Sequence, residues 1–198
     1  RGNVEDASQV VSIFRRVDGI GTEPIKEVIH AAGLLRDMLL RNQSREDVWQ
    51  VLAPKAEGAW NLHWASNCRM LQSTIYFSST TAVLGNVGQT SYGAANAFLQ
   101  GLARWQRLQS IPACEIHWGP IAEVGSAARL AATGLKSSFD DIEMLPTRVF
   151  TSLCKLAIMR QEPSLLLTNI DLIRDNAGEA EGSYTQSVTS SRQKNTHE

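Results

Sequence analysis

The sequence predicts an α/β protein built on a parallel sheet, and three observations lead there. Short apolar runs that read as strands alternate with longer stretches of helical spacing. The runs are rich in β-branched and aromatic residues and are bounded by small or turn-forming ones. Several are apolar throughout, with no in–out alternation, as suits parallel strands covered on both faces.

The elements follow in chain order. Ile25 to Gly33 (IKEVIHAAG) is a strand ended by small residues. A helix starts at about Ser44, where Glu46 and Asp47 place acidic groups in the first turn. Pro54 is expected to kink or interrupt that helix, and Gly58 to loosen it. Ser73 to Ser79 (STIYFSS) is the next strand, and TTAVLGNVGQT reads as a loop with two glycines. From Ser91 to about Gln109 the spacing of Ala95, Phe98, Leu99, Leu102 and Trp105 predicts a helix. Ala113 to Gly119 is a strand, Leu145 and Pro146 open a helix reaching Met159, and Ser164 to Asp171 is the last strand. The domain is read as residues 1–174. Asp175 to Glu198 has almost no large apolar residues and reads as a flexible polar linker.

Bulk properties narrow the function. A net charge of -1 leaves no basic field for a phosphate backbone, which argues against nucleic acid as a partner. No apolar run is long enough to cross a bilayer, so no membrane role is expected. Cys68, Cys114 and Cys154 match no metal spacing and read as reduced, buried thiols of a cytoplasmic protein; no metal is expected.

In a parallel sheet ligands lie beyond the carboxyl ends of the strands. Those ends are His30 to Gly33, Ser78 to Thr81 and Trp118 to Pro120. His30, set between apolar residues, reads as structural, and Trp118 as a packing aromatic beside a substrate channel. The GxG at Gly19 and Gly21 follows a helical stretch and precedes a strand, the wrong context for a dinucleotide turn. Ser79 ends a strand, Tyr92 follows thirteen residues later at a helix start, and Asn96 shares a helix face with Tyr92. A phenol near an ammonium can exchange a proton with a carbonyl oxygen, and a serine hydroxyl can bond that same oxygen.

Serine followed thirteen residues later by tyrosine resembles the short-chain dehydrogenase/reductase superfamily. Most members carry Lys four residues after the Tyr; here that residue is Asn96. The exchange resembles the ketoreductase domains of modular polyketide synthases and animal-type fatty acid synthases. Their Lys lies twenty-four residues before the Ser, which is Lys55 in LAPKAEGAW. IHAAGLLRDMLL, WGPIAEVGSAARL, FDDIEMLPTRVF and LLLTNIDL resemble further segments of that family, in order. RGNVED resembles its adenine-contacting strand end, with Asn3 where Asp is usual. The resemblance runs from about Gly2 to Leu172 and begins after the family's glycine-rich turn. It implies the C-terminal part of a Rossmann-like, doubly wound sheet with the first βαβ unit missing, and poor NADPH binding by this stretch alone.

The implied reaction is NADPH-dependent reduction of a β-ketoacyl thioester carried by an acyl carrier protein, beside other domains of one synthase. Tyr92 would give the proton, Ser79 position the carbonyl, Lys55 lower the phenol's pKa, and Asn96 support the Lys and a relay water. Asn3, Val4, Ala31, Ala32, Gly33, Lys55, Tyr92, Gly119 and Pro120 would hold the cofactor. Trp118 would border the substrate. Asp37, matching the second Asp of the family's Leu-Asp-Asp motif, and Gln89 in place of Trp resemble the class that makes the D-configured alcohol; Arg36 replaces the first Asp. Two other readings stand beside this one. A redox-silent ketoreductase scaffold would usually lack Tyr, Ser or Lys, and a stand-alone reductase of free ketones would carry Lys at position 96.

Overall fold

A computed structural model describes residues 1–21, 23–123, 144–160 and 164–167. The proposed linker, residues 168–171 of the last strand and most of the segments after Glu123 lie outside these residues.

Asp6 caps α1 (Ala7–Ile20), its carboxylate accepting from the Ser8 and Gln9 amides. Strand β1 (Glu27–His30) follows, then a loop, a 3-10 turn (Leu40–Asn42) and the long α2 (Arg45–Ser66). Ser44 and Asp47 form a reciprocal capping box, which fixes where α2 begins. The expected interruption at Pro54 does not occur. The helix runs through it because tertiary packing of Val51, Ala53 and Ala59 outweighs the one amide hydrogen bond that proline cannot make. Gly58 serves close packing: a Cβ there would stand 2.7 Å from Val4 Cγ1 and 3.2 Å from His30 Cε1.

Strand β2 (Ser73–Ser79) leads into a short α3 (Thr81–Leu84) where a plain loop was expected. Thr80 O takes the amides of Val83 and Leu84, and Gly85, at φ 72°, ends the turn in a conformation that glycine adopts without strain. Then come α4 (Thr90–Leu108), β3 (Ala113–Trp118), α5 (Thr147–Arg160) and β4 (Ser164–Leu167).

The four strands run parallel in the order β1-β2-β3-β4, with Ile29 opposite Ile75 and Ile75 opposite Cys114. Alternate residues of β2 face opposite layers. Tyr76 packs with Ala59 of α2 and Leu99, Leu102 and Ala103 of α4. Ile75 packs with Cys114, Ile116 and Trp118, and Val149, Phe150 and Leu153 of α5 lie against this cluster. Helices therefore cover both faces, as a doubly wound sheet requires. Helix α1 lies on α2, closing Val10 and Phe14 over Val28.

Of the three cysteines expected to be buried, Cys114 is buried and Cys154 partly so, but Cys68 is exposed. It sits in the turn after α2, where the chain leaves the layer and has no core to enter. Among the described residues no helix is long and apolar enough to cross a membrane.

Candidate active site

The carboxyl ends of β1, β2 and β3 and the first turn of α4 bring most of the expected residues together. Ser79 closes β2; it is buried, and its Oγ accepts the Thr81 amide at 3.3 Å. Tyr92 lies in the first turn of α4, close enough to Ser79 and Asn96 for both side chains to favour its ionised form. Asn96, one turn on and wholly buried, donates through Nδ2 to Tyr92 O at 2.8 Å.

Lys55 projects from mid-α2 and is only 4% exposed. Its Nζ donates to Phe77 O on β2 at 2.7 Å and stands 5.8 Å from the centroid of the Tyr92 ring. Burial pushes the lysine down to about 8. The expected lowering of Tyr92 is not found. Burial raises the phenol above its ordinary range, the bonds from Asn96 and Ser79 oppose this, and the Asp37 charge adds a smaller push upward. Burial keeps the phenol protonated, the state that a proton donor needs, and the ammonium is turned to a backbone carbonyl.

The loop after β1 carries Ala31, Ala32 and Gly33 past the lysine. A Cβ on Gly33 would lie 2.9 Å from Lys55 Cε and 3.4 Å from Nζ. Further along, Asp37 accepts from Gln89 Nε2 at 3.0 Å and 3.2 Å through its two oxygens. Burial raises the Asp37 carboxyl and the Gln89 bond opposes it. Gly119 and Pro120 are buried at the end of β3, where Trp118 O accepts the Thr80 amide at 2.9 Å. The Trp118 ring packs against Phe150 at 4.5 Å and Phe77 at 5.5 Å, so it is a packing aromatic. Val4 sits against Gly58, one turn along α2 from Lys55, and Val4 O accepts from Asn61 Nδ2 at 3.0 Å. Asn3 is exposed, its Oδ1 taking the Glu5 amide at 3.1 Å.

His30 is buried, with Nε2 unpartnered, and burial, helped by Lys55, pushes it down to about 4. It stays neutral and structural. Residue spacing did not reveal the Phe77 carbonyl that anchors Lys55, because a backbone atom leaves no mark in side-chain pattern. The bridging amide of Gln43 gave no signal either, lying in a polar stretch just before a helix cap.

Buried polar atoms normally find partners. Among the described residues, His30 Nε2, Thr74 Oγ1 and His117 Nε2 have none, and neither do four more: Asn96 Oδ1, Gln89 Oε1, Thr81 Oγ1 and Trp118 Nε1. These last four lie on the strand ends and helix start just described. Lys55 also keeps two N–H donors beyond its bond to Phe77. A polar group rich in hydroxyls and amides, such as the ribose and nicotinamide of a dinucleotide, fits this donor and acceptor set.

Helix-covered parallel strands with a strand-end serine, a helix-start tyrosine and a buried lysine define a reductase-like α/β class. Comparison with known proteins makes this specific. The profile of the KR domain matches residues 1–123, and the chain belongs to this family of polyketide synthase ketoreductase domains. It is 34% identical over 179 residues to a phenolphthiocerol/phthiocerol polyketide synthase of Mycobacterium tuberculosis, covering 88% of the chain and 10% of that protein. It is 41% identical over 127 residues to chalcone synthase cfoA of Aspergillus candidus, covering 64% of the chain and 5% of the relative. The chain thus spans about a tenth or less of these relatives. Among solved structures, an A1-type ketoreductase superposes with a TM-score of 0.79 at 22% identity, over 86% of the chain and 35% of that structure. The first ketoreductase of the tylosin PKS gives 0.73 at 24%, over 86% and 36%. These likenesses concern the fold.

Proposed function

We propose that this chain reduces the β-carbonyl of a β-ketoacyl thioester, carried by an acyl carrier protein, to the β-hydroxyl, using NADPH. The observation that carries the reading is the convergence of Ser79, Asn96 and Lys55 on Tyr92. A redox-silent scaffold has no use for a protonated phenol beside a strand-end hydroxyl, with a buried lysine 5.8 Å from the centre of its ring. Residues 1–174 form the ketoreductase unit and 175–198 a linker, in a cytoplasmic synthase with further domains.

Bound NADPH supplies the hydride. Asn3, Val4, Ala31, Ala32, Gly33, Lys55, Tyr92, Gly119 and Pro120 would hold the bound cofactor. As the carbonyl oxygen gains negative charge, the Tyr92 hydroxyl gives it a proton. The Ser79 hydroxyl donates a hydrogen bond to the same oxygen, holding it where the charge develops. Lys55, charged below about 8, stabilises the phenolate left behind. Asn96 fixes the turn that carries Tyr92, and its free Oδ1 accepts from the water that returns a proton. Trp118 supports the substrate side. Asp37 and Gln89, joined across two loops, set the side from which the acyl chain enters, and the product is the D-configured alcohol.

The test supplies the full-length native protein with NADPH and a β-ketoacyl N-acetylcysteamine thioester. Loss of nicotinamide absorbance matched by hydroxyacyl product is expected, with higher kcat/KM when the acyl group rides on a carrier protein. Absence of product from both substrates would contradict the proposal.

A further inference from the structure

The loop between β1 and α2 is fastened to the start of α4 at three points, all within four residues of Tyr92. Met38 N donates to Gly88 O at 2.9 Å, Gln89 Nε2 donates to Asp37, and Ser91 Oγ donates to Gln43 Oε1. Gln43 also donates through Nε2 to Met38 O at 2.8 Å. One side-chain amide therefore uses its acceptor on α4 and its donor on the loop. Ser91, its partner, is 4% exposed and immediately precedes Tyr92. Gly88, at φ 77°, turns its carbonyl toward Met38 in a conformation that disfavours a side chain.

We propose that Gln43 is a positioning residue for the reduction: it latches the Asp37 loop to Ser91 and so fixes the entry side of the acyl chain relative to the Tyr92 hydroxyl. This rests on the function proposed above, which assigns Tyr92 and Asp37 but gives Gln43 no role. Gln43 makes no side-chain hydrogen bond to the phenol or the lysine. It acts by joining two backbone segments whose relative position sets the substrate channel. Without the bridge, two contacts remain, and the loop can shift by the small amount that moves a substrate off its productive geometry.

Gln43→Leu removes both bonds, Ser91→Ala removes one, and Gln43→Glu keeps an acceptor for Ser91 while losing the donor to Met38. In the full-length native protein, Gln43→Leu is expected to raise KM for the β-ketoacyl thioester several-fold and to cut the ratio of the two alcohol enantiomers by roughly tenfold, with kcat changed less. Ser91→Ala should do part of the same, and the double variant should be no worse than Gln43→Leu, because the two residues share one bond. Gln43→Glu should recover part of the ratio. Amide hydrogen exchange, followed by mass spectrometry in peptides covering residues 34–39 and 85–92, reads the latch without any need for activity. Faster exchange in both peptides of Gln43→Leu is expected. Unchanged exchange at 85–92 would overturn the latch. Faster exchange with unchanged KM and enantiomer ratio would overturn its positioning role. A parent protein that exchanges as expected yet reduces no β-ketoacyl thioester would instead overturn the proposed function.

Discussion

Gly33 and Lys55 meet so closely that a Cβ on residue 33 would stand 2.9 Å from Lys55 Cε. The β1 loop therefore touches the lysine stem directly, and absence of a side chain at 33 lets the ammonium reach Phe77 O. Gly33→Ala should displace the flexible lysine and leave the fold intact. Expected are a stability change below about 1 kcal/mol and a roughly threefold to tenfold rise in KM for NADPH. Steady-state kinetics beside a thermal melt checks both; an unchanged KM would show that the lysine position is not critical.

Lys55 is a charge kept in the interior at the expense of stability. Its folded pKa is lowered from 10.5 to about 8. Between those values the unfolded chain binds the proton more tightly, so stability rises with pH through that window, and the penalty is full below about 8. Lys55→Met should therefore abolish reduction yet stabilise the fold at neutral pH, by at most about 3 kcal/mol, offset by the Phe77 carbonyl left unpaired. The gain should vanish as pH rises toward 10.5. Denaturant titrations of parent and variant at several pH values read this directly.

A second buried polar group holds the helix layer together. Gln106, 1% exposed, accepts from the Tyr76 hydroxyl at 2.9 Å and meets His63 Nδ1 at 3.0 Å through its nitrogen, linking α4, β2 and α2. Gln106→Leu keeps the volume but leaves two buried partners unpaired. A loss of roughly 2–4 kcal/mol is expected, seen as a lower urea midpoint with unchanged slope.

The strands and helices were legible because their apolar spacing matches their periods. Ser73–Ser79 stands as the sequence predicts, and the Ser44 cap begins α2. Pro54 and the segment after Ser79 misled because local propensity there yields to packing and to bonds made by Thr80 O. The site was legible as residue types, since Ser79, Tyr92, Asn96 and Lys55 follow a spacing that a family resemblance can read. Their electrostatics were not. The upward shift of Tyr92 and the anchoring of Lys55 depend on burial and on a carbonyl that the strand presents. The Asp37–Gln89 contact joins residues fifty-two apart, a closure that only the fold supplies.

That contact carries the stereochemical prediction. Chiral chromatography of the alcohol from the full-length native protein should give mainly the D-configured product. Asp37→Ala should narrow the ratio by roughly tenfold, about 1.4 kcal/mol between the competing transition states. A mainly L-configured product from the parent would refute the assignment of Asp37 and Gln89.

The measurement closest to the central claim compares the full-length native protein with its Tyr92→Phe variant. The exchange removes one oxygen from a half-buried ring and leaves the Asn96 bond to Tyr92 O in place, so the fold should hold. With saturating NADPH and a β-ketoacyl thioester, kcat should fall by roughly 100- to 10,000-fold, the range for a lost general acid, while the thermal midpoint stays at the parent value. A Tyr92→Phe variant that keeps kcat near the parent value would contradict Tyr92 as the proton donor.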